Sequence, residues 1–339
     1  MNNKLVLRRL ATGLQVGRAL ILIKFFKKRI PLYCEWEVTD YCNMDCDFCS
    51  TLSPTRNSAN WDTRPSEALR IIDQLAELGT KFIHFSGGEP TLRKDLRDLI
   101  ARAKENGMIV ALTTNGYGSP SIYSSVLKAD VIRISIDGVG AYHDKIRSKK
   151  NSYNRAIKVI KFLLDNQTRP AINMTISDDT PDDQINNLIG VAEKLGVEIH
   201  LSPMGRKWSE DSTPEQMGIV KRIRHFHSIH KRVVANPNPF LSVLEIGGLD
   251  KYGCRAMDVA ISIKADGSVH LPCTGMDYRA KGNISQIFYG EEADELRLMQ
   301  GRHSVCQGCS IRCMITASSL LKASGLQSIF QTYARNVLH

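Results

Sequence analysis

The stretch "YCEWEVTDYCNMDCDFC", residues 33–49, runs a strand-like segment (33–39) into Cys42, Cys46 and Cys49, spaced C-x3-C-x2-C. Thiols this close together point to a metal centre. Structural zinc sites are closed by four ligands, and no histidine or fourth cysteine of this loop stands nearby to close one. Cys34 reads as a core residue of the strand. Each of the four irons of a [4Fe–4S] cluster needs a terminal ligand, so three thiolates would leave one iron open to a ligand that is not protein. Zinc and a cluster both stay open on spacing, and the cluster is favoured.

Working outward, short apolar runs alternate with helix-period segments. The strand expectations are 33–39, 81–86, 108–114, 130–136, 171–177 and 197–202; the helices are 65–78, 94–106, 119–127, 152–165, 181–195 and 213–231. Six β-then-α units imply parallel strands with right-handed crossovers. They are too few for an eight-fold barrel, so the expected fold class is α/β, a partial (β/α)6 barrel with a small C-terminal α+β iron–sulfur domain. Such folds carry their chemistry at the C-terminal ends of the strands. The three cysteines, "SGGEP" (86–90), "TTNG" (113–116), "SIDG" (135–138) and "SPMG" (202–205) all fall at that edge.

The 339 residues are 42% hydrophobic and 24% charged, the composition of an ordinary globular chain. The net charge of +10 is local: residues 1–33 hold eight basic residues and no acid, against 37 basic and 35 acidic in the remainder. A nucleic-acid role loses its support there. The tail's apolar run, residues 19–23, is far shorter than a membrane span, and no cleavage site follows it. Two readings of the tail stay open, a basic amphipathic helix on an anionic membrane surface and a helix packed on the barrel. The expected location is the cytoplasm, with peripheral contact at the inner membrane face as the alternative. Nine cysteines, odd in number and tightly spaced, suit metal chemistry better than disulfides.

These residues resemble the radical S-adenosylmethionine (SAM) superfamily from about Trp36 to Pro203. The family's three-cysteine array, an aromatic residue before the last cysteine (Phe48) and a Gly-Gly-Glu stretch (Gly87, Gly88, Glu89) stand in matching places. The resemblance implies a SAM-binding [4Fe–4S] cluster on Cys42, Cys46 and Cys49, with S-adenosyl-L-methionine on the open iron. It implies that the Gly87–Glu89 backbone meets the SAM amino group, glycine allowing close approach. Ser135, and less closely Asp137, fall at the ribose-contacting position, Arg147 meets the SAM carboxylate, and Asn115 lines the same cavity. The implied chemistry is reductive cleavage of SAM to a 5′-deoxyadenosyl radical that abstracts hydrogen from substrate, with a flavodoxin or ferredoxin as reductant.

Beyond "VANPNPF" (residues 234–240), read as a linker, Cys254, Cys273, Cys306, Cys309 and Cys313 follow, with a hairpin turning at Asp266-Gly267. This resembles the SPASM and twitch extensions of the superfamily and implies a second, auxiliary [4Fe–4S] cluster. Cys254, Cys273, Cys306 and Cys309 are the expected ligands, with Cys313 an alternative to Cys309 and a zinc ribbon the competing reading. Asp266 and Asp277 are weak candidates for a catalytic base. The expected organisation is a basic tail (1–33), the barrel (34–235), an auxiliary-cluster domain (236–316) and an amphipathic C-terminal helix (317–339). The function expected is an oxidation or bond-forming step on an unidentified small-molecule, carbohydrate or lipid-linked substrate. The alternatives are a peptide maturase of the same superfamily and a non-catalytic iron–sulfur protein for electron transfer or redox sensing.

Overall fold

A computed structural model of the chain describes residues 3–46, 48–49, 62–204, 214–271, 273, 278–307, 309 and 311–322. Helix α1 (Asn3–Phe26) leads into β1 (Tyr33–Thr39), α2 (Pro65–Glu77), β2 (Phe82–Gly87), α3 (Leu96–Glu105) and β3 (Ile109–Thr114). Then come α4 (Pro120–Tyr123), β4 (Val131–Ser135), α5 (Ala141–Ile146), α6 (Ser152–Asp165), β5 (Ala171–Ile176), α7 (Asp182–Leu195), β6 (Glu198–Pro203) and α8 (Pro214–Ile229). The remainder is α9 (Asn238–Glu245), α10 (Leu249–Tyr252), α11 (Ala256–Val259), β7 (Ala260–Ile263), β8 (Val269–Leu271), β9 (Tyr278–Ala280), α12 (Ile284–Tyr289), α13 (Glu291–Leu298) and α14 (Arg312–Ser319).

Among the described residues the strands form one sheet in the order β6-β5-β4-β3-β2-β1-β7-β8-β9. The first six are parallel, as the βα alternation requires, and the fold is an open partial barrel. β7 pairs with β1 in parallel, from Tyr33↔Ala260 to Trp36↔Ile263, and β8 and β9 add antiparallel strands. The expected hairpin therefore continues the barrel's own sheet across the β1 edge.

Period-two geometry splits the strands into two unlike faces. One face carries Cys34, Trp36, Ile83, Phe85, Val110, Leu112, Ile132, Ile134, Ile172 and Met174, all buried. Helices cover it through i, i+3, i+4, i+7 stripes, such as Ala68, Ile71, Ile72 and Leu75 of α2 and Ile185, Leu188, Ile189 and Ala192 of α7. Each fully buried Leu or Ile there contributes about 1.5–3 kcal/mol. The other face carries Glu35, His84, Thr113, Arg133, Asn173 and His200 and lines the interior of the open barrel. Parallel strands covered on both faces usually read as continuous apolar runs, so this alternation marks an interior that is not hydrocarbon.

Two segment expectations are corrected. The stretch read as a linker is built into the fold: Val234 bridges to Ile199, and the Asn236 amide donates to Leu201 O (2.6 Å) and accepts from Leu201 N–H (2.9 Å). That side chain satisfies the outer edge of β6 as a further strand would. The C-terminal helix starts earlier than expected, at Arg312, and gives way to a turn at Leu320–Lys322; residues 323–339 lie outside the described residues. In α1, Val16, Ala19, Leu20 and Ile23 join the core while Leu14, Ile21, Phe25 and Phe26 stay exposed. No helix among the described residues is long and apolar enough to cross a membrane.

Candidate active site

The chain leaves β1 through a bulge, since the pairing with β2 gains one residue between Glu37 and Thr39. Bulges re-aim the chain beside functional sites. Arg93 pins this one, donating to Val38 O (2.6 Å), Thr63 Oγ1 (3.1 Å) and Thr63 O (3.0 Å) while Asp95 holds its other edge. The loop that follows is bonded to Gly87-Gly88-Glu89: Gly88 N–H donates to Thr39 O (2.7 Å) and Glu89 N–H to Tyr41 O (2.8 Å). A Cβ on Gly87 would stand 2.3 Å from Thr39 O and one on Gly88 2.2 Å from Tyr41 O. The glycines are thus required by the approach of backbone to the cysteine loop.

Glu89 is buried and fully committed. Its Oε1 accepts from Thr91 N–H (3.0 Å), Thr91 Oγ1 (2.6 Å) and Thr114 Oγ1 (2.6 Å), and its Oε2 from Asn115 N–H (2.6 Å). Burial pushes its carboxyl up, against the pull of these donors. The carboxylate fixes the end of β3, and Asn115 then presents its amide to Asn43 Oδ1 (2.8 Å), with Cys42 Sγ at 3.9 Å.

The thiols rest on the same rim. Cys49 N–H donates to Cys46 O (3.1 Å), and the Cys46 thiol lies 3.7 Å from Arg147 O. Burial raises the Cys46 thiol, opposed by the Arg147 charge. The Arg147 guanidinium sits over the Phe48 ring, 5.2 Å from its centre, a cation–π contact. Arg147 Nε donates to Asp137 Oδ2 (2.5 Å), and Asp137 Oδ1 accepts from Thr175 N–H (2.8 Å). Asp137 thus holds Arg147 and β5, while Ser135 ends β4 beside it, nearly buried. Asp137 N–H donates to His143 Nδ1 (3.0 Å), which places the imidazole proton on Nε2, a buried atom with no partner among the described residues. Burial lowers the His143 pKa to about 4.

The second set divides. Cys254, Cys273, Cys306 and Cys309 line one cavity with Leu249, Asp250, Ala256 and Met314. Cys309 N–H donates to Cys306 O (3.1 Å), the turn made by Cys46 and Cys49. Gly301 (φ +78°) lets the chain pass Cys254, whose Cβ would lie 3.0 Å from a side chain there. Burial raises the Cys309 thiol. Cys313 is off that cavity: burial raises its thiol too, with the Glu35 charge on β1 next in effect. Asp266 is tied into its own turn by Ser268 N–H (3.0 Å), Ser268 Oγ (2.6 Å) and Lys281 (3.1 Å). Asp277 lies outside the described residues.

Residues 36–192 match the Radical SAM superfamily. The chain carries a radical SAM domain. This family uses a [4Fe–4S] cluster with SAM, and three thiols on one rim, with an amide near Cys42 sulfur, are a donor set that fits such a cluster. Among relatives, Fe-coproporphyrin III synthase of Methanosarcina barkeri is 31% identical over 159 residues, 46% of this chain and 39% of that protein. The chain spans about half the length of the first curated relatives it matches. GTP 3′,8-cyclase of Pasteurella multocida is 25% identical over 305 residues, 81% of this chain and 83% of that one. SuiB of Streptococcus suis, solved with S-adenosylmethionine, shares the fold at a TM-score of 0.65 with 16% identity, covering 88% of this chain and 73% of SuiB.

Sequence reasoning missed the polar inner wall of the radical SAM domain. Glu35 accepts from Tyr33 OH (2.6 Å) and Ser86 Oγ (2.7 Å) and meets His84 Nδ1 (2.8 Å), whose Nε2 meets Thr113 Oγ1 (2.8 Å). Burial pushes Glu35 up, but these partners outweigh it and hold its carboxyl below the usual range. Glu37 pairs with Lys264 (2.6 Å). From α14, Arg312 reaches Asn173 Oδ1 (3.1 Å), Ser202 Oγ (3.2 Å) and His200 Nδ1 (2.8 Å). The available signal was the charge at alternate positions of otherwise apolar strands.

Proposed function

We propose that the chain is a radical SAM enzyme acting on a substrate held against the inner face of its open barrel. The observation that carries this reading is the convergence of Cys42, Cys46 and Cys49 with the Gly-Gly-Glu bend, Asn115 and the Asp137–Arg147 pair on one rim. A cluster on those three cysteines, with SAM at its open iron, supplies hydrogen-atom abstraction through reductive cleavage of SAM. Asp137 holds Arg147, whose remaining N–H groups would meet the SAM carboxylate, a guanidinium fork matching a carboxylate. Asn115 donates toward the Cys42 sulfur, and hydrogen bonds to sulfur tune cluster potential. Glu89 keeps that amide in place.

The cavity lined by Cys254, Cys273, Cys306 and Cys309 supports these four as ligands of an auxiliary cluster, which suits net oxidation or bond formation. The exposed apolar ridge of α1, flanked by exposed Arg18, Lys24, Lys27 and Lys28, supports docking on an anionic membrane surface. Anaerobically reconstituted protein is expected to hold about eight irons per chain and to form 5′-deoxyadenosine from SAM under reduction. Colourless, iron-free protein, or a loaded and reducible protein that leaves SAM intact, refutes the reading.

A further inference from the structure

Two guanidinium groups face the barrel interior and form no ion pair among the described residues. Arg133, on β4, has a buried Nε with no hydrogen-bond partner and no ion pair among the described residues. Arg312 enters from the start of α14, over the Phe240 ring at 5.5 Å, and among the described residues bonds only to neutral acceptors: Asn173 Oδ1, Ser202 Oγ and His200 Nδ1. Three acids approach this wall: Glu198 lies in register with Arg133 through Ala171 and acts on it across β5 without an ion pair among the described residues, and Glu35 and Glu37 are engaged by other groups. Glu35 already serves Tyr33, His84 and Ser86, and Glu37 serves Lys264.

An arginine does not shed its proton in a protein. Both side chains are half-buried, and holding such a charge unpaired away from water is costly. Resting on the radical SAM reading of the rim, we propose that the interior binds the anionic group of the substrate, a carboxylate or a phosphate, between Arg133 and Arg312. Arg133 lies two residues before Ser135 along β4, which sets the anion about 7 Å below the rim at roughly 3.3 Å per residue. The substrate is thereby held by its charged end with its reacting carbon toward the thiols. His200, accepting from Arg312, is a positioning residue: it fixes the guanidinium plane. Because Arg312 follows Cys309 by three residues, substrate and second thiol cavity meet at the start of α14.

The test is thermal unfolding of the anaerobically loaded protein at constant ionic strength, titrated with inorganic pyrophosphate in one arm and citrate in the other. A ligand that binds only the folded protein raises Tm with its concentration. Wild type is expected to rise in at least one arm, and the arm that responds at lower concentration identifies phosphate or carboxylate. Arg133→Gln and Arg312→Gln should each need about tenfold more anion for the same rise, as for loss of one charge-assisted bond. The surface variant Arg97→Gln should respond as wild type does. Arg133→Met should unfold no earlier than wild type without anion, because it removes a half-buried charge that has no ion pair; a purely structural arginine would give the opposite. A flat titration of wild type in both arms, or full responses in both glutamine variants, overturns the clamp. Formation of 5′-deoxyadenosine, measured on the same wild-type protein, reports on the rim alone, so either reading can fail without the other.

Discussion

Asp137→Asn removes one charge from a buried pair and leaves its shape in place. Asp137 is 2% exposed, and it bonds Arg147 Nε at 2.5 Å and Thr175 N–H at 2.8 Å. Asparagine can keep the Thr175 bond through its carbonyl but leaves Arg147 as an uncompensated charge beside Phe48. Removing one partner of a buried pair costs about 3–5 kcal/mol. At roughly 2 °C per kcal/mol for a long chain, Tm should fall by about 6–10 °C. Differential scanning calorimetry on anaerobic, loaded protein reads this directly. Adding Arg147→Met should recover most of the loss, because replacing both members of a buried pair by neutral groups is nearly free. SAM affinity, measured by equilibrium dialysis, should stay lost in the double variant. A Tm within about 2 °C of wild type for Asp137→Asn would show that the pair is not desolvated. No recovery in the double variant would show that the cost arises elsewhere.

Cys309→Ala should lower iron from about eight to about four per chain, whereas Cys313→Ala should keep about eight; iron loss confined to the Cys313 variant would reverse the assignment. His143 is held neutral in the folded protein at a pKa of about 4, below its ordinary value of 6.5. The unfolded chain therefore binds the extra proton first, and stability present above pH 6.5 should fall by about 3 kcal/mol as pH drops to 4. Urea unfolding of His143→Asn should lose that part of the pH dependence; an unchanged profile would assign it to other groups. Phe25→Ser with Phe26→Ser should abolish sedimentation with phosphatidylglycerol vesicles, and neither wild type nor variant should sediment with neutral ones. Point variants are the sound test, because deleting the helix would also strip Val16, Leu20 and Ile23 from the core. Unchanged binding of the double variant would end the membrane reading.

The parallel strands and most helices were legible because period and turn residues act locally: the six expected strands match to within a residue or two at each end. The rim was legible because cysteine spacing and glycine pairs are local signals as well. The roles on that rim were not. Glu89 looks like a free acid until Thr91, Thr114 and Asn115 are seen around it. Asp137 and Arg147, ten residues apart, pair only because α5, a helix too short to show a period, turns the chain back. His143 gave no cue, since nothing in sequence says which histidine loses its water. Arg312 comes 112 residues after its partner His200, a distance at which no spacing rule operates.

The order of the sheet gives the proposed use of two thiol sets on one substrate a structural basis. An open barrel leaves β1 with an unpaired edge, and unpaired strand edges invite unwanted association. Here β7 closes that edge in register, and Lys264 just beyond it bonds Glu37 across the seam. The cysteine loop of the rim therefore grows from the same strand that anchors the C-terminal segment. That segment returns through Cys306 and Cys309 into α14, whose first turn lays Arg312 against β5 and β6 on the inner wall. The interior is thus bounded by the rim thiols at one end and by the start of α14 at its side. A substrate fixed there by its charge would lie between the proposed hydrogen-abstracting rim and the proposed second cluster, the arrangement that removing a hydrogen atom and then an electron from the same molecule requires.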